Sequence, residues 1–269
     1  MLRPKRRWCA PLLCVFLILS GWTVVQADIV QFTVLHTNDF HGNLEPSGSN
    51  PGAARLASKI NQIRAAKEAL GQRVLLLDAG DIMQGALLSN VEKGYPTIQV
   101  FKNMGYDAVT FGNHEFDWGQ AVLGERTAQA WNNDYQGATK EFPFLSANIV
   151  LQGTAPDCAM AGWDRPPFIP AAYRVFEIPT ATSPLRVGVI GVTTQETAAI
   201  VKSSAVAGIC FKDPASAILH YYDQLQEAAD VLIVLSHLGY TDGGYGYGLP
   251  VYGDQTLASR LNQAGKPVD

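Results

Sequence analysis

Between Ile29 and Leu235 short apolar runs alternate with amphipathic stretches, and four of the runs end in a cluster containing Asp, Asn or His. Runs of four to seven residues are strand-sized, and strands separated by helices are buried most readily as a layered α/β domain. Ile29 to Leu35, Val74 to Leu77, Ala108 to Phe111 and Phe144 to Ala147 read as the first strands. Between them, Asn50-Pro51 caps a helix carrying Leu56, Ile60, Ile63 and Leu70 and stopped by Gly71. Ile98 to Met104 and Ala121 to Asn132 supply two more helices. Leu151 to Pro170 reads as a surface insertion, and Ala172 to Ile178 with Leu185 to Val192 as a hairpin. A helix follows from Asp213-Pro214 to Ala228, then a strand from Val231 to Leu235. Gln255 to Asn262 reads as a last helix stopped by Gly265, with Pro267 to Asp269 as the approach to a further strand.

The front of the chain obeys different rules. Arg3, Lys5, Arg6 and Arg7 precede an apolar run from Leu12 to Leu19, and Val25-Gln26-Ala27 offers a small-residue end, so residues 1–27 are expected to be a signal peptide. An uncleaved membrane anchor is the alternative, although Pro11, Ser20 and Gly21 interrupt the stretch. Cleavage implies an exported protein, periplasmic, cell-surface or extracellular, with no stable membrane insertion. The full chain of 269 residues carries 20 basic against 24 acidic residues, net −4. The leader holds four of the basic and none of the acidic ones, so residues 28–269 carry 16 against 24, net −8. Such a surface argues against nucleic acid as a partner. Cys9 and Cys14 leave with the leader, and Cys158 and Cys210 are expected to form a disulfide, with two buried free thiols as the alternative.

The polar clusters fall at the carboxyl ends of strands, the edge where ligands collect in open α/β sheets. Asp39 and His41, two apart after the first strand, would project to one side of an extended backbone and share a metal ion. Gly80 permits a turn that aims the Asp81 carboxylate across the strand ends, where it could bridge two cations. Asn113 offers an amide oxygen, His114 beside it could meet a substrate, and Asp117 could orient the His114 ring. Ser236-His237 adds another imidazole at the same edge.

Taken together, Leu35-His-Thr-Asn-Asp39-Phe-His41-Gly42, Gly80-Asp81, Gly112-Asn-His-Glu-Phe-Asp117 and Ser236-His237 resemble the calcineurin-like metallophosphoesterases, and within them the secreted 5'-nucleotidase family. The resemblance implies a layered α/β/β/α sandwich and two divalent metal ions such as Zn²⁺ or Mn²⁺. It implies Asp39 and His41 as ligands of the first metal, Asp81 as the bridge, and Asn113 with His237 as ligands of the second. His114 would be the catalytic histidine and Asp117 its dyad partner, assisting a metal-bridging hydroxide that attacks phosphorus. Two dications less two carboxylates leave a site near +2 in an acidic protein, suited to a phosphate dianion. The family also has a Gly-His-x-His motif on a later strand and a C-terminal domain that holds the nucleoside base, and this sequence contains neither. Residues 28–269 are therefore expected to be the metallophosphoesterase domain of a longer protein, cut short.

Two functions compete at this stage. One is hydrolysis of nucleotide phosphate esters, with 2',3'-cyclic nucleotide phosphodiesterase, nucleotide-sugar hydrolase and thiosulfohydrolase as sibling activities. The other is an inactive or weakly active exported fragment or binding module. His36 is expected to make a structural hydrogen bond, His220 to be a surface or packing residue, and Gly243 to Gly248 to be a mobile surface loop or a cover for the pocket.

Overall fold

A computed structural model describes residues 29–131, 141–243 and 251–269. The expected leader, residues 1–27, lies outside the described residues, as do the end of the third expected helix at Asn132 and the glycine-rich loop beyond Gly243. Among the described residues no helix is long and apolar enough to cross a membrane.

Strands β1 (Phe32–Thr37), β2 (Arg73–Asp78), β3 (Ala108–Thr110) and β4 (Phe144–Leu145) form one parallel sheet in that order. The register pairs Thr37 with Asp78 and Leu77 with Ala108, so the chain leaves β1, β2 and β3 at a common edge. Helices α1 (Gly52–Glu68), α2 (Leu87–Val91), α3 (Tyr95–Met104) and α4 (Gly119–Trp131) connect these strands. A second sheet is built from β6 (Tyr173–Ile178), β7 (Leu185–Thr193) and β9 (Val231–His237), with β6 antiparallel and β9 parallel to β7. Between them in sequence come β5 (Ile149–Leu151), α5 (Thr197–Ile200), β8 (Ile209–Phe211) and α6 (Pro214–Ala228), and α7 (Asp254–Gln263) follows β9.

The alternation of side chains across each strand assembles four layers. On β2, Leu76 packs outward with Ile60 of α1 and Phe101 of α3, whereas Leu75 and Leu77 face Val187, Val189 and Leu235 of the second sheet. On β7, the intervening Ile190 and Val192 turn the other way, onto Ile218 and Leu225 of α6 and Leu257 of α7. The expected α/β/β/α sandwich is thus present.

Several short elements have no counterpart in the sequence reading. Helix α2, helix α5 and the antiparallel pair β5 and β8 are each three to five residues long, too short to show a period. The expected insertion is largely irregular, and Cys158 within it is bonded to Cys210 of β8, 52 positions further along the sequence. At the other end, the backbone N–H of Asp269 donates to Leu232 O on the free side of β9 at 2.9 Å.

The second helical layer is tied down by one carboxylate. Asp213 caps α6, accepting from Ser216 N at 2.8 Å, and also accepts from Tyr252 and from both terminal nitrogens of Arg260 in α7. Burial works to raise its pKa, but the bonds from Arg260, Ser216 and Tyr252 outweigh it and leave Asp213 below its ordinary 3.8. A depressed carboxylate stabilises the fold above its unfolded pKa and loses that contribution as pH falls through the folded one. Asp213→Ala should cost about 1–2 kcal/mol at pH 7. Asp213→Asn, still able to cap, should cost less, and its deficit should shrink as pH falls below about 4 in urea titrations. A deficit independent of pH would exclude the charged pair as its source.

Candidate metal and phosphate site

The loops that leave β1, β2, β3 and β9 are laced together by backbone hydrogen bonds before any ligand is considered. Asp39 N donates to Gly80 O at 3.0 Å, His41 N to Asp81 O at 2.9 Å, and Gly42 N to Ile82 O at 2.9 Å. Gly80 adopts φ 97°, and a side chain on Gly112 would bring its Cβ to 2.1 Å from Asp81 Oδ1, so the second and third loops can approach only through these two glycines. Asp39, His41 and Asp81 also have left-handed backbones, with φ of 52°, 49° and 58°. Such strain in non-glycine residues, of order 1–3 kcal/mol each, clusters at functional sites. The extended geometry expected for Asp39 and His41 is thereby corrected: a turn, not strand alternation, brings His41 Nε2 to 3.8 Å from Asp39 Oδ1.

Asp81 is the centre. It is 3% exposed, and its Oδ1 accepts His114 N–H at 2.8 Å. Its Oδ2 stands 3.9 Å from His41 Nε2 and 3.4 Å from His237 Nε2. The other nitrogen of each ring meets a carbonyl: His41 Nδ1 bonds Gln84 O at 2.8 Å and His237 Nδ1 bonds Ala79 O at 2.7 Å. A carbonyl can only accept, so both rings carry their proton on Nδ1 when neutral, and Nε2 presents a lone pair to the carboxylates. Oxygen and nitrogen donors of Asp39, Asp81 and His237 lie within 4.8 Å of one another. Two carboxylates and two oriented imidazoles are a donor set that suits Zn²⁺ or Mn²⁺. Asn113 lines the same cavity as Asp39 and His237.

The electrostatics express the same convergence. Burial opposes charge on both His237 and Asp81, but their mutual hydrogen bond and attraction prevail, lifting His237 to about 9 and holding Asp81 below the carboxylate range. His114 bonds Asp117 through Nδ1 at 2.7 Å, and that bond, against burial, raises His114 above 6.5. Its ring lies 5.3 Å from that of His41, centroid to centroid. Every residue assigned a site role from the sequence is thus drawn to this edge.

The sequence reading passed over Glu115. It is 1% exposed and accepts the N–H groups of Asp81 at 2.8 Å, Gly112 at 2.7 Å and Ile82 at 2.9 Å, fastening the second loop to the third. Burial and the charge of Asp81 push Glu115 up to about 7 while the N–H bonds pull it down. No local signal could have found it, because its partners Asp81 and Ile82 lie 34 and 33 positions away in sequence. One other expectation changes and one is met. His36 is exposed on the wall of the cavity and makes no side-chain hydrogen bond among the described residues, while His220 is a surface packing residue, stacked on Trp163 at 4.3 Å. The cavity has a volume of about 780 Å³ and runs from Asp39 and His237 past Thr194 to Tyr240.

The comparisons with known proteins bear directly on this geometry. The family described as calcineurin-like phosphoesterase matches residues 32–265. The chain belongs to that family. It is 34% identical over 235 residues to a 5'-nucleotidase of Vibrio cholerae, spanning 86% of this chain and 38% of that protein. Against the protein UshA of Escherichia coli the identity is 32% over 239 residues, 88% of this chain and 39% of that one. The chain therefore spans about two fifths of the length of these relatives. Among solved structures, a 5'-nucleotidase precursor from Thermus thermophilus superposes with a TM-score of 0.57 at 30% identity, over 77% of this chain and 37% of that one. The calcineurin-like phosphoesterase YfkN from Bacillus subtilis matches in fold, with a TM-score of 0.65 at 23% identity, over 84% of this chain and 67% of that one.

Removing the Glu115 carboxylate would strand three buried N–H donors. Glu115→Ala should lower stability by roughly 3 kcal/mol or more, read from urea unfolding. A loss under about 1 kcal/mol would mean that solvent or a neighbour replaces the carboxylate.

Proposed function

We propose that this chain is the catalytic part of an exported, metal-dependent phosphoesterase that hydrolyses phosphate esters of nucleotides, of the 5'-nucleotidase type. The observation that carries the reading is the pair of carbonyl-fixed imidazoles, His41 and His237, both presenting Nε2 to the shared carboxylate of Asp81. Asp39 and His41 would hold one divalent cation, Asn113 and His237 a second, and Asp81 both. Bound there, the cations would supply Lewis acidity and an activated water.

The protein's own residues do the remainder. Asp117 holds His114 by Nδ1, leaving Nε2 to carry a proton toward the leaving oxygen of the ester. Because the Asp117 bond raises the pKa of His114, the protonated form needed for that task is more populated near neutrality than for a free imidazole. The half-exposed ring allows a substrate to reach it, and the adjoining cavity leaves room for the rest of a nucleotide. Cyclic nucleotides, nucleotide sugars and thiosulfate esters remain sibling substrates under this reading. The leader-like residues 1–27 and the Cys158–Cys210 bond support export. A non-catalytic module is the second reading, favoured by a candidate donor set that, among the described residues, offers three residues around each cation.

With Mn²⁺ or Zn²⁺ supplied, the chain should release phosphate from nucleoside monophosphates. His114→Ala should lower turnover by about 10²–10⁴-fold with metal content retained. Phosphate release by the alanine variant at the wild-type rate would remove His114 from the mechanism. Metal uptake without any turnover in the wild type would favour the binding module. Rates on AMP, a cyclic nucleotide and a UDP-sugar would rank the substrates.

A further inference from the structure

Beneath the candidate ligands lies a buried carboxylate to which the proposed chemistry gives no task. Asp78 ends β2 and is 0% exposed. Its Oδ1 accepts Gly80 N–H at 2.8 Å, and its Oδ2 accepts the hydroxyl proton of Thr37 at 2.5 Å. Thr37 has only that proton to give, so in its 2.7 Å contact with Tyr106 the tyrosine hydroxyl is the donor. Tyr106 is itself fully buried and stacked on Phe101 at 4.1 Å. A chain of hydrogen bonds thus runs from the core through Tyr106 and Thr37 to Asp78, and from Asp78 to the turn that delivers Asp81.

That turn is where the ligand residues are attached. Ala79 O takes the Nδ1 proton of His237, Gly80 O takes the N–H of Asp39, and Asp81 O takes the N–H of His41. If the Gly80 amide were released, all three attachments would slacken together. Burying a carboxylate is costly unless its bonds secure something, and burial does hold Asp78 well above its ordinary range despite the bonds from Thr37 and Gly80.

We propose that Asp78 is a positioning residue for the candidate metal site: by holding Gly80 N–H while Thr37 and Tyr106 hold Asp78, it sets where Asp81 and His237 present their donor atoms. The metal-binding half of this inference rests on the phosphoesterase reading, whereas the half concerning the turn does not. What the site needs from Asp78 is an acceptor at Oδ1, not a charge. Asn can provide that acceptor, and Leu, of similar size, cannot.

The test compares the full chain with Asp78→Asn and Asp78→Leu by amide hydrogen exchange and by Mn²⁺ equilibrium dialysis. In Asp78→Leu the Gly80 amide should exchange at least about tenfold faster, and Mn²⁺ affinity should fall about 10–100-fold. In Asp78→Asn both should stay within about threefold of wild type, a rescue that mere core filling does not predict. Should Asp78→Leu fail to fold, Thr37→Val loosens the same chain one link away, and it should shift both readouts in the same direction to a smaller extent. Wild-type Mn²⁺ affinity and Gly80 protection in Asp78→Leu, or in Thr37→Val where that variant stands in, would overturn the proposal. Equal damage from Asn and Leu would overturn it too, because charge would then be what matters. A wild-type chain that binds no Mn²⁺ would instead sink the phosphoesterase reading and the metal half with it, and the Gly80 exchange contrast would still decide the role of Asp78 in the turn.

Discussion

The turn at residues 79–81 is the point from which the rest of the candidate site hangs. Each of its backbone polar groups is engaged: Ala79 N by Thr37 O, Ala79 O by His237, Gly80 N by Asp78, Gly80 O by Asp39, Asp81 N by Glu115 and Asp81 O by His41. Buried amides must be paired, and here the partners come from β1 and the loop after it, from β2, from β9 and from the segment after β3. The same bonds that satisfy the turn therefore bring together donor groups from four places in the sequence. Convergence of the candidate ligands and backbone satisfaction are one geometric problem with one solution.

The sandwich supplies the platform for that solution. Leu75 and Leu77 of β2 pack against Val187, Val189 and Leu235, which brings the ends of β2 and β9 to the same side of the molecule. Gly191 on β7 lets the two sheets close further, since a Cβ there would lie 2.3 Å from Leu145 O. Apolar burial, at about 25 cal/mol per Å², is non-directional and fixes only the layers. The hydrogen bonds of the loops then fix the atoms.

Much of this was legible in the sequence, and the limits of legibility have physical causes. Strands such as Val74 to Leu77 announce themselves because burial on both faces demands an unbroken apolar run, and α6 because Asp213-Pro214 is a cap followed by periodic residues. The ligand candidates stood out because Asp, His and Asn directly after such runs have no core role. Hidden from that reading were residues whose partners are distant in sequence. Tyr106 and Thr37 meet across 69 residues, and Glu115 meets Asp81 across 34. No local spacing encodes such contacts. The turn geometry of Asp39 and His41 escaped for a related reason, because left-handed backbone in non-glycine residues is imposed by tertiary hydrogen bonds against local preference.

Those left-handed positions narrow the substitutions by which the site can change over generations of mutation. At Asp39, His41 and Asp81 the backbone admits Gly without strain and Asp, Asn or His at less cost than other side chains, and it resists β-branched residues. The residues easiest to accommodate are, glycine aside, the ones with oxygen or nitrogen donors. A lineage that lost its donor at one of these points would most readily drift to another donor or to glycine, which favours an altered set of polar donors over conversion of the site into ordinary core.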